Sequence, residues 1–342
     1  MHQAESLEPE SRSPRVSRNL LFLLSLVVLL IPENSGAQIK SIIIGESVRG
    51  AMYLPFYIAE EKNFFRKRDL ETKIVTFSRS NDLNALIAGD IQFDLTAPDK
   101  VIHGALGGYP VKMVLGITRG LNLALAVNPA IKSAADLRGK SVAITGFSGL
   151  PYTGLLLCLK ELGMTRDQVV PLNIGGKTAR FEALLSGKVP AAILDPPYTT
   201  LAAKEGFRLL VDLAPLDVAY LRNIAAVSDR VARDDPRTVT RFVEAFAEGV
   251  RFYRNKANKD ESMRVLAKYL RVSLDRNRPM VEEAYETYRE VMAKKPYPDP
   301  AALKTVLDVV SESNPRAKSV NLASLVDSSY VEKLDREGYF DR

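Results

Sequence analysis

One phrase occurs twice in this chain, 98 residues apart. It first runs Asn84-Ala-Leu-Ile-Ala-Gly-Asp-Ile-Gln-Phe-Asp-Leu-Thr-Ala-Pro98, and then Glu182-Ala-Leu-Leu-Ser-Gly-Lys-Val-Pro-Ala-Ala-Ile-Leu-Asp-Pro196. Each copy reads as the end of a helix, a glycine stop, a short apolar strand and a proline at the strand's exit. A repeat on this scale predicts two similar α/β units facing each other across a cleft.

The rest of the chain supports such units. Strands are predicted at Ser41–Gly45, Thr72–Phe77, Asp94–Ala97 and Val111–Ile117, with helices at Leu54–Phe65, Asp82–Ala88 and Asp99–Leu106 between them. A second alternation follows. A turn feeding a strand within 136–145, then strands at Val169–Ile174, Ala191–Leu194 and Phe207–Asp212, are separated by helices at Pro151–Leu162, Thr178–Leu185 and Thr199–Ala203. Alternation of this kind implies two mostly parallel sheets, each covered by helices on both faces. Beyond Pro215 a strand is expected at Asn223–Val227. Helices then follow at Pro236–Arg254, Asp260–Leu270, Met280–Met292 and Pro300–Val310, and short helices in the tail from Ser319 to Gly338 pack on the first unit.

The expected organisation is a first lobe made of 38–122 and 223–342, with a second lobe, 123–222, inserted into it. Two segments, near Leu123–Val127 and Leu216–Asn223, would cross between the lobes and act as a hinge.

Residues 1–37 read as a secretory signal peptide. Arg12, Arg15 and Arg18 precede an apolar run from Leu20 to Ile31, and Ser35-Gly36-Ala37 suits cleavage. The run is short for a membrane span, so the expectation is export to the periplasm with cleavage near Ala37. Removing three basic and four acidic residues from a chain of net charge +6 leaves +7. Such a charge favours anions at long range. Its Lys and Arg are scattered rather than clustered, so no nucleic-acid partner is expected. A single Cys158 in an apolar helix, no Trp, and only His103 in the mature chain leave thiolate chemistry and His-based metal sites poorly supplied. No cofactor or metal is expected.

In open α/β sheets, ligands sit beyond the C-terminal ends of the strands. That rule selects four loops. Met52 and Tyr53 follow the first strand, with Phe56 and Tyr57 beginning a helix that competes for their rings. Thr96 and Ala97 end the third strand, and Asp99 is a helix-capping candidate; Ser78, after the second strand, is a weaker choice. Thr145, Gly146, Phe147 and Ser148 form a turn whose N–H groups and hydroxyl could hold an anion. Asp195 and Tyr198 leave the second copy of the repeat, where Asp195 suits an amine or ring nitrogen. Gly175-Gly-Lys-Thr178 could add an anion contact but lacks the full phosphate-loop pattern. Asp94, Asp99, Asp195 and Glu182 are the carboxylates from which an enzyme would draw a pair, with nothing in the spacing to bring two together.

Four segments carry a family resemblance: Gly50–Glu60, with Tyr-Leu-Pro-Phe-Tyr-Ile-Ala-Glu; Ala85–Asp94; Asp136-Leu-Arg-Gly-Lys140; and Phe181–Asp195. In this order they resemble the substrate-binding proteins of ABC importers of the nitrate, sulfonate and taurine type. The pyrimidine-precursor-binding proteins related to thiamine synthesis are similar. The resemblance implies a monomeric, non-enzymatic, two-lobed periplasmic receptor that binds a small organic solute and delivers it to an inner-membrane ABC permease. It carries ligand contact over to Met52, Tyr53, Ala97, Gly146–Ser148 and Asp195. Phe147 stands where sulfonate-binding members have small polar residues, which favours a larger or flatter solute such as an aromatic acid or a pyrimidine-like heterocycle. Related yeast-type proteins are enzymes that consume an active-site His; His103 has no second His or Cys cluster nearby and is expected to be structural or peripheral. A sensor that passes a ligand-bound shape to a membrane protein, and an enzyme on the same scaffold, are the alternative readings.

Overall fold

Two five-stranded sheets organise the protein. The computed structural model describes residues 39–341 apart from 78–80, 148 and 217. The expected signal peptide therefore lies outside the described residues. The strands are β1 Lys40–Glu46, β2 Leu70–Thr76, β3 Phe93–Thr96, β4 Val111–Arg119, β5 Ala124–Val127, β6 Ser141–Ile144, β7 Val170–Asn173, β8 Ala191–Leu194, β9 Arg208–Asp212 and β10 Leu221–Ser228. The first sheet has the order β2-β1-β3-β10-β4 and the second β7-β6-β8-β5-β9. The fourth position in each is a strand arriving from the other sheet, and it is the one antiparallel member: β10 in the first, β5 in the second. The other strands run parallel, and β3, β5 and β8 are buried along their whole length. Uninterrupted apolar runs such as Ala191-Ala-Ile-Leu194 suit strands covered on both faces.

The helices are α1 Leu54–Glu61, α2 Asp82–Ala88, α3 Pro98–Leu106, α4 Ala134–Leu137, α5 Gly149–Glu161, α6 Lys177–Leu185, α7 Tyr198–Lys204, α8 Asp229–Asp234, α9 Pro236–Arg254, α10 Lys259–Leu270, α11 Leu274–Val291, α12 Pro300–Ser313 and α13 Ser329–Arg336. Among the described residues no helix is long and apolar enough to cross a membrane. α1 ends four residues earlier than predicted because the chain turns at Asn63, in the left-handed region at φ 58°. α11 starts earlier than predicted and kinks at Asn277, two residues before Pro279, which has no N–H to donate and disfavours helical backbone just ahead of it.

The core of the first lobe is aromatic. Phe93 on β3 stacks on Phe242 of α9 with centroids 3.7 Å apart, and Phe56 of α1 stacks on Phe246 at 4.5 Å. α9 can lie this close to α1 because Gly249 has no side chain; a Cβ there would sit 2.1 Å from the Pro55 carbonyl oxygen. The tail returns to the first sheet, where Val326 bridges to Met113 of β4 and Tyr330 donates to the Ala232 carbonyl at 3.2 Å.

The chain passes between the sheets at 120–123 and 213–220. The two passages bond to each other: Gly120 N–H donates to Tyr220 O and Leu213 N–H to Leu123 O, both at 2.9 Å. One apolar cluster continues through them, joining Met113 and Ile224 to Leu123, Leu125 and Ile144. Cys158 is part of this cluster, fully buried in α5, and burial pushes its thiol up to about 12.

Candidate functional site

The C-terminal ends of β1, β3, β6 and β8 border two cavities. The first, of about 270 Å³, lies between the loop after β1, α3, the start of α5 and the flank of α12. Met52 and Ala97 close it from the first lobe, with Asp99 and His103 from the first two turns of α3. Phe147, Leu150 and Tyr152 close it from the second lobe, and Phe147 is 55% exposed, with its ring edge-on to Tyr152 at 6.2 Å. Val306 and Val310 of α12 form an apolar side wall. Tyr220, Arg222 and Asn223, where the chain re-enters the first sheet, form the floor. Burial pushes the Tyr220 hydroxyl up to about 12; Thr153 and Arg222 oppose the rise, and Asp99 adds to it.

The second cavity, of about 300 Å³, is more polar. Lys177, Asp195 and Tyr198 face it from the second lobe and Glu283 and Tyr288 from α11; Arg222 lines this one as well. A wider groove of about 780 Å³ between α5 and α12 touches no strand end.

The structure sorts the predicted residues. Met52, Ala97 and Phe147 line the first cavity, and Asp195 and Tyr198 the second. Ser78 and Ser148 lie outside the described residues. Gly146 is half-buried and Thr145 exposed, and neither is among the described lining residues; the Thr145 hydroxyl is bonded by Arg180.

Tyr53 and Thr96 depart from expectation, since both are fully buried and line neither cavity. The Thr96 hydroxyl is engaged inside its lobe, donating to Asp82 at 3.1 Å. Tyr53 belongs to the aromatic core with Phe56 and Tyr57. Its hydroxyl, near Ser47 and Asn223, closes no hydrogen bond of normal geometry, and burial holds its pKa far above the ordinary tyrosine value.

Asp195 reaches its cavity with its charge already matched. Arg180, only 2% exposed, donates to it at 3.1 Å, and Lys177 stands 3.9 Å away. The same guanidinium donates to the Ile193 carbonyl at 2.8 Å, so Arg180 ties the end of β8 to α6. An amine on the solute would compete with two cations for this carboxylate, which removes the reason for expecting an amine there. Tyr198 is fixed by a 2.7 Å bond to the Thr178 hydroxyl.

Of the other carboxylates, Asp94 is fully buried on β3 with no hydrogen-bond partner of normal geometry on either oxygen. Burial pushes it up to about 8, with the Asp82 charge adding to the rise and Lys100 opposing it. It lines neither cavity. His103 is exposed at the edge of the first cavity. Among the described residues no group of three or more His, Cys, Asp or Glu is placed to hold a metal ion.

Sequence reasoning missed Tyr152, Arg222, Asn223, Tyr288 and the α12 wall. Arg222-Asn223 had a signal: a cation and an amide interrupt an otherwise apolar run from Tyr220 to Val227. Nothing local marked α12, which is brought to the cleft by a chain return of about eighty residues.

Comparison with known proteins accords with this geometry. Over 219 residues the chain is 27% identical to the riboflavin-binding protein RibY of Chloroflexus aurantiacus, covering 61% of this chain and 60% of RibY. The chain thus spans about 60% of the length of the curated relative it matches. Its fold is shared with the periplasmic aliphatic sulphonate-binding protein SsuA of Escherichia coli, at a TM-score of 0.64 and 19% identity over 84% of this chain and 92% of SsuA. The same fold is found in the desulfurization enzyme DszB, at a TM-score of 0.58 and 19% identity over 87% of this chain and 99% of that one. Residues 51–259 match the family described as NMT1/THI5 like, and that stretch holds both copies of the repeat and most of the cavity walls. With well over half of its length matched, the chain belongs to the NMT1/THI5-like family.

Proposed function

We propose that this protein is an extracytoplasmic solute receptor. It is exported to the periplasm, takes up a small organic solute between its lobes, and delivers it to an ABC permease. The observation that carries this reading is the first cavity, bounded by Met52 and Ala97 from one lobe and by Phe147 and Tyr152 from the other. A space walled from both sides is closed or opened by relative motion of the lobes, with 120–123 and 213–220 as the hinge. In this reading 38–122 with 223–342 moves as one body and 123–222 as the other.

The walls favour a flat solute. Phe147, Tyr152, Leu150 and the valines of α12 offer ring faces and aliphatic surface, with polar groups confined to the floor and α3. This is the pattern of a site that buries a ring and fixes its orientation through a few polar contacts. Aromatic carboxylates, aromatic sulfonates and pyrimidine-like heterocycles fit it, and so does a flavin, the class bound by RibY. A small inorganic ion does not, because it needs a closely fitted polar cage.

The test is calorimetric titration of the chain from Gln38 onward with these four classes. One-to-one binding with the compound recovered unchanged is expected. Phe147→Ala should weaken it by about tenfold, the worth of a lost aromatic contact plus its buried area. Failure of every class to bind, or conversion of a bound compound as on an enzyme scaffold, overturns the reading.

A further inference from the structure

β10 re-enters the first sheet with a bulge. Leu221 pairs with Arg119 and Asn223 with Thr118, so Arg222 is an extra residue with no partner in the ladder. A bulge re-aims the side chain it carries, and bulges recur beside binding sites for that reason. Arg222 lines both cavities and is the residue at which they meet. Its guanidinium lies over the Tyr288 ring, 5.5 Å from the centroid. A contact with a ring face leaves the guanidinium N–H donors free for other partners. Among the described residues, no carboxylate forms an ion pair with it.

Three carboxylates line the two cavities with Arg222. Asp195 is matched by Arg180 and Lys177. Asp99 sits in the first turn of α3, where an acid complements the positive end of the helix. Glu283 of α11 lines the second cavity with Arg222 but is exposed, and it forms no ion pair with it. Beside Arg222, Asn223 has its Oδ1 bonded by the Thr118 hydroxyl at 2.7 Å, so the group it has left to offer is its NH2 donor. An unmatched, half-buried cation next to an amide donor, at the floor of an aromatic-walled cleft, is a site for an anion.

We propose that Arg222, with Asn223 beside it, anchors a carboxylate, sulfonate or phosphate carried by a solute whose ring lies against Phe147 and Tyr152. This assignment rests on the receptor reading and sharpens it, because it makes the solute a ring-bearing anion. It also moves the anion contact from the Gly146–Ser148 turn, where sequence reasoning looked for it, to the strand that returns from the other lobe. A planar fork of donors grips such oxygens two at a time, which an ammonium cannot do.

Matched pairs of solutes test the proposal: riboflavin 5′-phosphate against riboflavin, and benzoate against benzamide. Each is titrated calorimetrically into the chain from Gln38 onward and into Arg222→Gln and Arg222→Lys. The wild type should prefer the anionic member of a pair by about tenfold or more, as charge-assisted hydrogen bonds do. Arg222→Gln should abolish that preference while leaving the neutral member within about threefold, and Arg222→Lys should restore part of it. Equal weakening of both members, or a preference that survives Arg222→Gln, overturns the proposal.

Melting without any solute, in sulfate against chloride at equal ionic strength, separates this proposal from the receptor reading. If no pair binds but sulfate stabilises the wild type and not Arg222→Gln, the anion anchor stands and the ring-solute reading falls. If sulfate does not distinguish the two proteins and no pair binds, the anchor falls as well. Far-UV circular dichroism of each variant confirms that it is folded.

Discussion

Asp82 and Arg180 occupy equivalent places in the two halves of the molecule. They stand 98 residues apart, as the repeated phrases do, each in the helix that leads into its phrase. Both are buried, at 0% and 2% exposure, and both tie their helix to the end of the following strand. Asp82 accepts from Thr96 at the end of β3 and from Lys100 of α3, whose ammonium reaches its two oxygens at 2.8 and 2.7 Å. Arg180 donates to the Ile193 carbonyl and to Asp195 at the end of β8. The backbone plan calls for a buried polar link at this point but leaves its sign free. Once the sign is chosen, the partner must have the opposite one, because an unpaired buried charge is too costly. The choice shapes the cleft. In the first lobe the matching charge sits on α3, and the strand exit is left as the small, neutral Ala97. In the second lobe it sits on the strand exit itself, as Asp195.

The largest effects should come from removing either link. Asp82→Ala and Arg180→Ala should each cost about 3–5 kcal/mol in urea unfolding, since each strands a partner in or near the interior. A loss below about 1 kcal/mol in either would mean that the two positions do not play equivalent parts. A double-mutant cycle between Arg180 and Asp195 should return a coupling of about 1–3 kcal/mol.

The pH dependence of stability should separate the halves next. Asp94 belongs to the first copy, and its counterpart in the second is Ala192. Folded Asp94 holds its proton up to about pH 8, whereas the unfolded chain releases it near the ordinary value of 3.8. The folded state therefore binds more protons between these values. This group's contribution to stability is complete below about pH 4 and is lost as the pH rises toward 8. Asp94→Asn should flatten that part of the curve of melting temperature against pH, and an unchanged slope would remove Asp94 as its source.

Smaller and nearly equal effects are expected at the glycines that stop the two helices. Gly89 and Gly187 have φ of 88° and 73°, where a side chain is strained, and Ala at either should cost about 1 kcal/mol. Gly89→Ala should be slightly the worse of the two, because its Cβ would meet the Arg230 guanidinium at 2.5 Å whereas nothing lies within 4 Å at Gly187. The smallest effect should be Lys177→Met, at or below about 1 kcal/mol of stability. This cation is half exposed, stands 3.9 Å from Asp195, and leaves Arg180 in place to hold the carboxylate.

Much of the fold was legible residue by residue. The helix at Asp82–Ala88, the strand at Ala191–Leu194 and the helix at Pro236–Arg254 have the predicted ends, because the stop and start signals, Gly89, Pro190 and Pro236, lie within the elements or beside them. The site was legible only in part. The rule that ligands gather at strand ends selected Met52, Ala97 and Phe147, which line the first cavity, and Asp195 and Tyr198, which line the second. Tyr53 was misplaced because a loop aromatic looks the same in sequence whether it faces a cleft or a core. What decided it was the cluster of Phe56, Phe93 and Phe242, two of which come from distant segments.

Periodicity, punctuation and the repeated phrase were sufficient, without any structure, to determine two α/β units, most of their element order and the strand ends that border the cavities. These properties depend on residues within a few positions of one another. Only the tertiary structure decided which way the charges at those ends are turned. Whether Asp195 is free depends on Arg180 reaching it from a helix, and whether Arg222 faces the cleft depends on a bulge created by pairing with β4, about a hundred residues earlier. Partner choice across such distances is set by packing and register, which no local pattern encodes.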